Sequence, residues 1–241
     1  MAVQAATQAS KSLLANFGKL KEVRQKTEET DIVTNADLES EKAILSLIKE
    51  NFPGHGIISE ESSPVQGKDF TWIIDPLDGT FNYSRQLPFY AVSIALAKKD
   101  EIVLGVVALP FSNEVFVAEK GKGCLLNGVK TSVSKRTMKE GYFSISSCLP
   151  VRKFSEINSM GTNTIPAGVA SLAFLAAGRF EIVGICDHAK YWDFPAGYIV
   201  AKEAGAIATD WSGKPWDLNC KNLLATNGIC HKEAMEIIEG K

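Results

Sequence analysis

The chain has 241 residues, of which 45% are hydrophobic and 22% charged, with a formal net charge of −2. That length can bury a full core, as one large domain or as two halves around a cleft, and the balance is that of a soluble globular protein without a basic patch for nucleic acid. No run of about 18 apolar residues occurs, so no segment reads as a membrane span.

Ala2 to Phe17 reads as a helix, with Leu13, Leu14 and Phe17 near helical spacing. The polar stretch Lys19 to Asp31 predicts a loop. The apolar Ile32-Val33 then meets helix-starting residues, and Leu38 to Phe52 continues as a second helix, ended by Pro53-Gly54-His55-Gly56. Ile57-Ile58 reads as a short strand leading to Ser59-Glu60-Glu61-Ser62. Thr71 to Ile74 is an apolar strand that runs into Asp75-Pro76-Leu77-Asp78-Gly79-Thr80. Ala91 to Ala97, Ile102 to Leu109 and Val115 to Ala118 are strands rich in Val, Ile and Phe, and Asn127-Gly128 is a hairpin turn. Met160 to Pro166 is irregular and polar. Ala167 to Ala177 reads as a helix, Arg179 to Ile185 as a strand, Asp193 to Ala204 as a helix, and Lys232 to Glu239 as a last helix. Mixed strands and helices with central hairpins exclude a simple βαβ array.

The five cysteines, Cys124, Cys148, Cys186, Cys220 and Cys230, are scattered and form no C-x-x-C pair. Their pattern speaks against a disulfide framework and a thiolate zinc site. The N-terminus lacks a charged-then-apolar signal layout, and a cytoplasmic location is the expectation. His55, His188 and His231 are too few and too scattered for a zinc cluster. Ser144, Ser146 and Ser147 alternate on a strand without a partnered histidine, which gives a serine-hydrolase triad no support.

Acidic residues gather at strand ends and helix starts: Glu60, the pair Asp75 and Asp78, and Asp193. Magnesium prefers carboxylate, carbonyl and water oxygens, and two carboxylates three apart with a carbonyl between them can bend around such an ion. Pro76 fixes the local φ, and Gly79 permits a tight approach. Gly79-Thr80 would then open a helical turn whose free N–H groups face an anion. Asp-Pro or Asp-Gly alone would be a polar turn. The six-residue string after an apolar strand, with Glu60 at another strand end, reads as a site.

Trp72-Ile73-Ile74-Asp75-Pro76-Leu77-Asp78-Gly79-Thr80 and Trp192-Asp193-Phe194-Pro195-Ala196-Gly197 resemble the inositol monophosphatase family, within the lithium-sensitive phosphatase superfamily. Val33 to Asp37, Ile58 to Ser62, Leu87 to Ile94 and Gly121 to Gly128 support the match in the right order. The resemblance implies an α/β (α+β) fold, a five-layer αβαβα sandwich with largely antiparallel or mixed sheets. It implies a single catalytic unit over residues 1–241, with 1–150 as a metal- and phosphate-binding half and 151–241 as a smaller half supplying Asp193. Two or three Mg2+ ions would be held by Glu60, Asp75, the Leu77 carbonyl, Asp78 and Asp193. Glu60, Thr80 and Asp37 would be catalytic, Thr80 orienting the nucleophilic water and Asp37 holding Thr80. Asp78, Gly79, Thr80, Ala167, Gly168, Asp187 and Asp193 would face the substrate, the amides of Gly79 and Thr80 cradling its phosphate. Lys26 matches a family lysine near the entrance. A homodimer, lithium sensitivity, and no nucleic-acid or membrane partner complete the expectation.

The chain departs from the family on the substrate side. A Gly-Ser/Thr-Ala turn usually opens the helix placed here near Ala167, but Ile165-Pro166-Ala167-Gly168 stands instead, and Pro166 offers no N–H. The family's polyol-binding acid before Trp192-Asp193 has Asp187 as its best counterpart. The expected reaction is hydrolysis of a small polyol or sugar phosphate, with inositol monophosphate first. Fructose-1,6-bisphosphatase activity, alone or alongside, is the runner-up, followed by nucleotide 3'-phosphatase and histidinol-phosphate phosphatase. The reading from outside the enzyme class is a regulatory binding protein of the same fold. Loss of the acidic residues would mark it, and none is missing.

Overall fold

Two sheets carry the architecture in a computed structural model that describes residues 1–19, 23–25, 32–146, 153–154, 159–186 and 189–240. Helices α1 (Ala2–Asn16) and α2 (Asn35–Asn51) flank a small antiparallel pair, β1 (Val23–Gln25) and β2 (Ile32–Thr34). A seven-stranded sheet follows in chain order: β3 (Gly56–Ser59), β4 (Phe70–Asp78), β5 (Ala91–Lys98), β6 (Glu101–Leu109), β7 (Glu114–Glu119), β8 (Gly123–Leu126) and β9 (Val129–Thr131). Only β3 and β4 run parallel, and the other neighbours are antiparallel. The short helix α3 (Thr80–Ser84) leaves the end of β4.

The second sheet uses β10 (Tyr142–Ile145), β11 (Gly161–Asn163), β12 (Ile182–Ile185), β13 (Ile207–Thr209) and β14 (Leu223–Thr226), in the order β11-β10-β12-β14-β13. Helices α4 (Gly168–Ala176) and α5 (Pro195–Glu203) lie between the sheets, and α6 (His231–Glu239) covers the far face of the smaller one.

Strand alternation stacks these layers, because successive side chains point to opposite faces. Trp72, Ile74, Val92, Ile94, Val106 and Ala108 face one core with Ala5, Ala9, Leu13, Ile44 and Ile48 of α1 and α2. Ile73, Ala91, Ala95, Val107 and Leu109 point the other way, against Leu172, Leu175, Ile199 and Val200 of α4 and α5. Val183, Ile185, Leu223 and Ala225 close that same core from the second sheet. Ile182 and Leu224 turn outward to meet Phe143, Phe154 and Ala234. The result is the expected αβαβα sandwich. Gly105 lets α5 approach β6 closely, since a Cβ there would stand 2.4 Å from Ile199 Cγ2 and 2.9 Å from the Ala196 carbonyl oxygen.

Several elements differ from expectation. The Lys19–Asp31 stretch contains β1, and the stretch expected to be irregular contains β11, an edge strand parallel to β10. Asp193 closes a 3₁₀ turn, Tyr191–Asp193, and the helix begins only at Pro195. Strand β4 continues through the acidic string, and its pairing with β5 shifts register between Asp75 and Asp78. Pro76, which has no N–H to give a ladder, lies inside that irregularity. Cys186 is disulfide-bonded, which corrects the expectation drawn from the cysteine pattern, whereas Cys124, Cys220 and Cys230 are free. No helix among the described residues is long and apolar enough to cross a membrane.

Candidate active site

The end of β4 and the start of α3 form the floor of a cleft of about 660 Å³ between the sheets. Glu60, Asp75, Asp78, Thr80 and Asp193 all line it, as do Leu77, Gly79, Ala167 and Gly168. Asp37 stands behind this wall, holding Thr80. Asp187 and Lys26 lie outside the described residues. So do His188 and Ser147.

Each acidic group is placed by a backbone hydrogen bond, near or distant in the chain. Asp75 Oδ1 accepts the Leu77 N–H at 2.9 Å, folding the carboxylate over the bulge. Asp78 Oδ2 accepts the Ala170 N–H at 3.1 Å from the first turn of α4, so the second core helix fixes it. Asp193 Oδ2 accepts the Lys190 N–H at 2.7 Å across the 3₁₀ turn. Glu60 follows β3 directly, its own N–H reaching the Ile74 carbonyl at 3.3 Å.

Thr80 Oγ1 lies 3.0 Å from both Asp37 Oδ1 and the Leu77 carbonyl, acceptors for its one proton. The other oxygen of Asp37 takes the Thr34 N–H at 2.8 Å and the Thr34 hydroxyl at 2.5 Å, the reciprocal box that starts α2. Gly79 precedes α3 at φ 84°, and a Cβ there would meet the Phe89 carbonyl at 2.8 Å and Ala167 Cβ at 3.1 Å. Only glycine fits both the left-handed backbone and that gap. Asn82 Nδ2 donates to the Phe89 carbonyl at 2.8 Å and the Pro166 carbonyl at 3.3 Å, joining α3 to the Ile165–Gly168 wall.

Charge is the dominant feature of the floor. Burial pushes the Asp75 carboxyl well above the ordinary range, and Glu60, Asp78 and Asp193 push it further. Asp78 is pushed up to about 8, by burial first and then by Asp193 and Glu60, against the lowering effect of the N–H groups of α4. Burial also raises Asp37, partly offset by its bonds from Thr34 and Thr80. Among the described residues lining the cleft, Lys190 is the one cationic side chain. Four mutually repelling carboxylates with so little counter-charge suit a divalent cation, and an all-oxygen donor set suits magnesium. Among the described residues no three Asp, Glu, His or Cys side chains form a ready-made shell, so the fit is one of charge and donor type.

The serine-lined part of the opposite wall was not read from the sequence as part of a site. Ser144 and Ser171 pair through their hydroxyls at 3.0 Å, and with Ser146, Ile185, Cys186 and Ala189 they line the cleft. Ser144 and Ser146 carry a strand-like spacing, but nothing local links them to Ser171 on α4.

The sequence model of the inositol monophosphatase family matches residues 1–240. A Thermotoga maritima protein named fructose-1,6-bisphosphatase/inositol-1-monophosphatase is 36% identical over 231 residues, 94% of this chain and 90% of that protein. The Nus factor SuhB of Pasteurella multocida is 32% identical over 258 residues, 99% of this chain and 94% of that protein. Among solved structures, a Thermotoga maritima IMPase matches with a TM-score of 0.93 at 31% identity, covering 99% of this chain and 95% of that one.

Proposed function

The chain belongs to the inositol monophosphatase family, and from that premise we propose that this phosphatase hydrolyses the monoester of a small polyol or sugar phosphate, inositol monophosphate first, with magnesium as its cofactor. The observation that carries the proposal is the convergence of Glu60, Asp75, Asp78 and Asp193 on one cleft beside the Thr80–Asp37 pair. A phosphate dianion would be repelled by this floor unless cations stood between them.

Glu60, Asp75, the Leu77 carbonyl, Asp78 and Asp193 would hold the magnesium. When bound, it supplies Lewis-acid activation of water and neutralises charge on the phosphoryl and leaving oxygens. The protein's own groups do the rest by positioning, which is most of what phosphoryl transfer requires. Thr80 can give its proton to Asp37 Oδ1, leaving an oxygen lone pair to accept one from an attacking water. Asp37, raised by burial, is a better proton acceptor than an exposed carboxylate. Gly79 and Thr80 open α3 with N–H groups suited to phosphate oxygens.

A second substrate reading has its own support. A relative carries fructose-1,6-bisphosphatase in its name, and Lys190 at the cleft could meet a second phosphate. Phosphate release from inositol monophosphate, fructose 1,6-bisphosphate, histidinol phosphate and a nucleoside 3'-phosphate, with Mg2+ and with chelator, tests both. Release that requires Mg2+ is expected from at least one polyol or sugar phosphate. A protein that binds Mg2+ yet hydrolyses none of them would refute the proposal.

A further inference from the structure

Three residues on one face of α2 each hold a different segment of the acidic floor. Asp37 Oδ1 takes the Thr80 hydroxyl at 3.0 Å. Ser40 Oγ donates to the Pro76 carbonyl at 2.7 Å, between the two aspartates of the bulge. Glu41 takes three donors from the segment that carries Glu60. Its Oε1 accepts the Ser59 hydroxyl at 2.5 Å and the Glu61 N–H at 3.2 Å, and its Oε2 accepts the Ser62 hydroxyl at 2.6 Å. Positions i, i+3 and i+4 share a helix face, so one rigid helix sets the mutual register of three segments.

The Glu41 contacts differ in kind from ordinary packing. Asp37, Ser40 and Glu41 are all buried, at 0%, 0% and 6% exposure. Charge-assisted bonds at such sites are short and strong, and they fix geometry as well as adding stability. Beyond Ser59 the chain leaves β3, and the Glu60 N–H bond to Ile74 at 3.3 Å is a long one. Residues 59, 61 and 62 all bond to Glu41, so Glu60 is bracketed on both sides by one carboxylate. Asp37 stands one turn earlier on the same helix, which ties Glu60 to the Thr80–Asp37 pair.

We propose that Glu41 is a positioning residue of the active site, holding the Glu60 segment in register with Thr80 and with the bulge of β4 so that Glu60 meets the magnesium. This rests on the magnesium-phosphatase reading above. Glu41 itself touches no reacting atom in this assignment.

The test is Mg2+ titration by calorimetry of the metal-free protein, beside steady-state kinetics. Partners that orient metal ligands typically contribute about 10–100-fold in metal affinity. Glu41→Ala should therefore weaken Mg2+ binding by about tenfold or more. It should raise the Mg2+ concentration for half-maximal rate in parallel, with a smaller loss of kcat at saturating Mg2+. Glu41→Gln should recover most of the affinity, since its Oε1 keeps the Ser59 and Glu61 donors and its amide can donate to Ser62. Ile44→Ala, in the apolar core of the same helix, should lower Tm without moving Mg2+ affinity. If Glu41→Ala does not fold, Ser62→Ala removes a single donor and should still weaken Mg2+ binding severalfold.

Wild-type Mg2+ affinity in Glu41→Ala, or in Ser62→Ala where that variant stands in, would overturn the role of Glu41 alone. So would equal weakening by Ile44→Ala. A wild-type protein that binds no Mg2+ would overturn the magnesium reading itself, and this inference with it.

Discussion

In protein stripped of divalent cations, stability should fall as pH rises from 6.5 to 8. Asp78 has a folded pKa pushed up to about 8 from an ordinary value of 3.8, by burial first and then by neighbouring carboxylates. A folded pKa above the unfolded one means that the native chain keeps a proton that the unfolded chain has released. That contribution is complete below the unfolded pKa and is lost as pH climbs through the folded one. His231 acts in the opposite sense. Burial lowers its imidazole, so its contribution is present above the ordinary pKa of about 6.5 and is lost as pH falls. The chosen window starts at that ordinary pKa, so His231 opposes the carboxylates only weakly across it. The limiting slope for one proton is about 1.4 kcal/mol per pH unit, easing as pH reaches the folded pKa, which puts the Asp78 contribution across the window on the order of 1–2 kcal/mol. For a chain of this size that is a fall in Tm of roughly 3–6 °C. Asp75, also raised well above its ordinary value, adds in the same direction. Thermal melts in chelator at the two pH values measure the drop, and excess Mg2+ should shrink it. Asp78→Asn should flatten the chelator profile by at least one proton's worth, because it also removes a charge that raises Asp75. A Tm in chelator that is equal or higher at pH 8 would refute the assignment of a protonated, buried Asp78.

Asp78→Asn is also expected to abolish Mg2+-dependent phosphate release while the circular dichroism spectrum stays native, and near-wild-type turnover would rule Asp78 out of the metal site. Thr80→Ala should lower kcat by roughly 100-fold or more while calorimetric Mg2+ affinity holds, because it removes a proton-handling hydroxyl and no carboxylate. Gly105→Ala should cost about 1–3 kcal/mol by forcing α5 away from β6, and an unchanged melt would contradict the close approach. Lys190→Ala should raise KM for fructose 1,6-bisphosphate by about fivefold at most, the scale of an exposed ion pair, and leave KM for inositol monophosphate nearly unchanged.

How much of this was legible in the sequence depends on how local each cause is. The Asp75-to-Thr80 string could be read because Pro76, Gly79 and the flanking apolar run act within a few residues of one another. Helices α1 and α2 and the central hairpins could be read for the same reason, from periodicity and from Asn127-Gly128. Strands β11, β13 and β14 were missed because three or four residues carry almost no periodic signal, and neighbours from distant chain segments decide their pairing. The Thr80–Asp37 bond spans 43 residues, and only the family resemblance suggested it. Ser40 and Glu41 were overlooked although their spacing from Asp37 is helical, because polar residues on a helix ordinarily face water. The disulfide at Cys186 escaped because an odd cysteine count says nothing about which thiols meet.

A different division, between backbone-held and side-chain-held features, separates the reaction from its substrate. The acidic floor is built from backbone-determined features: a bulge at Pro76, a left-handed Gly79 and the amides that start α4. Such features tolerate little variation, because moving the bulge or the α4 amides leaves a buried carboxylate without its bond and a side chain at Gly79 has no room. The opposite wall, made of Ile165, Pro166, Ala167, Ser144 and Ser171 around the disulfide-bonded Cys186, has no comparable constraint. Its serines satisfy each other and the Pro166 carbonyl accepts from Asn82, so apart from Ala167, which stands against Gly79, side chains there can change without disturbing the floor. Hydroxyl-rich alcohols are discriminated by buried polar groups that go unpaired when the wrong one binds. In this chain the described part of that wall is mostly apolar or internally paired, with Lys190 as its one charge. On the proposed polyol or sugar-phosphate reading, such a wall predicts Mg2+-dependent release from more than one member of the phosphate panel, and activity on a single ester alone would count against it.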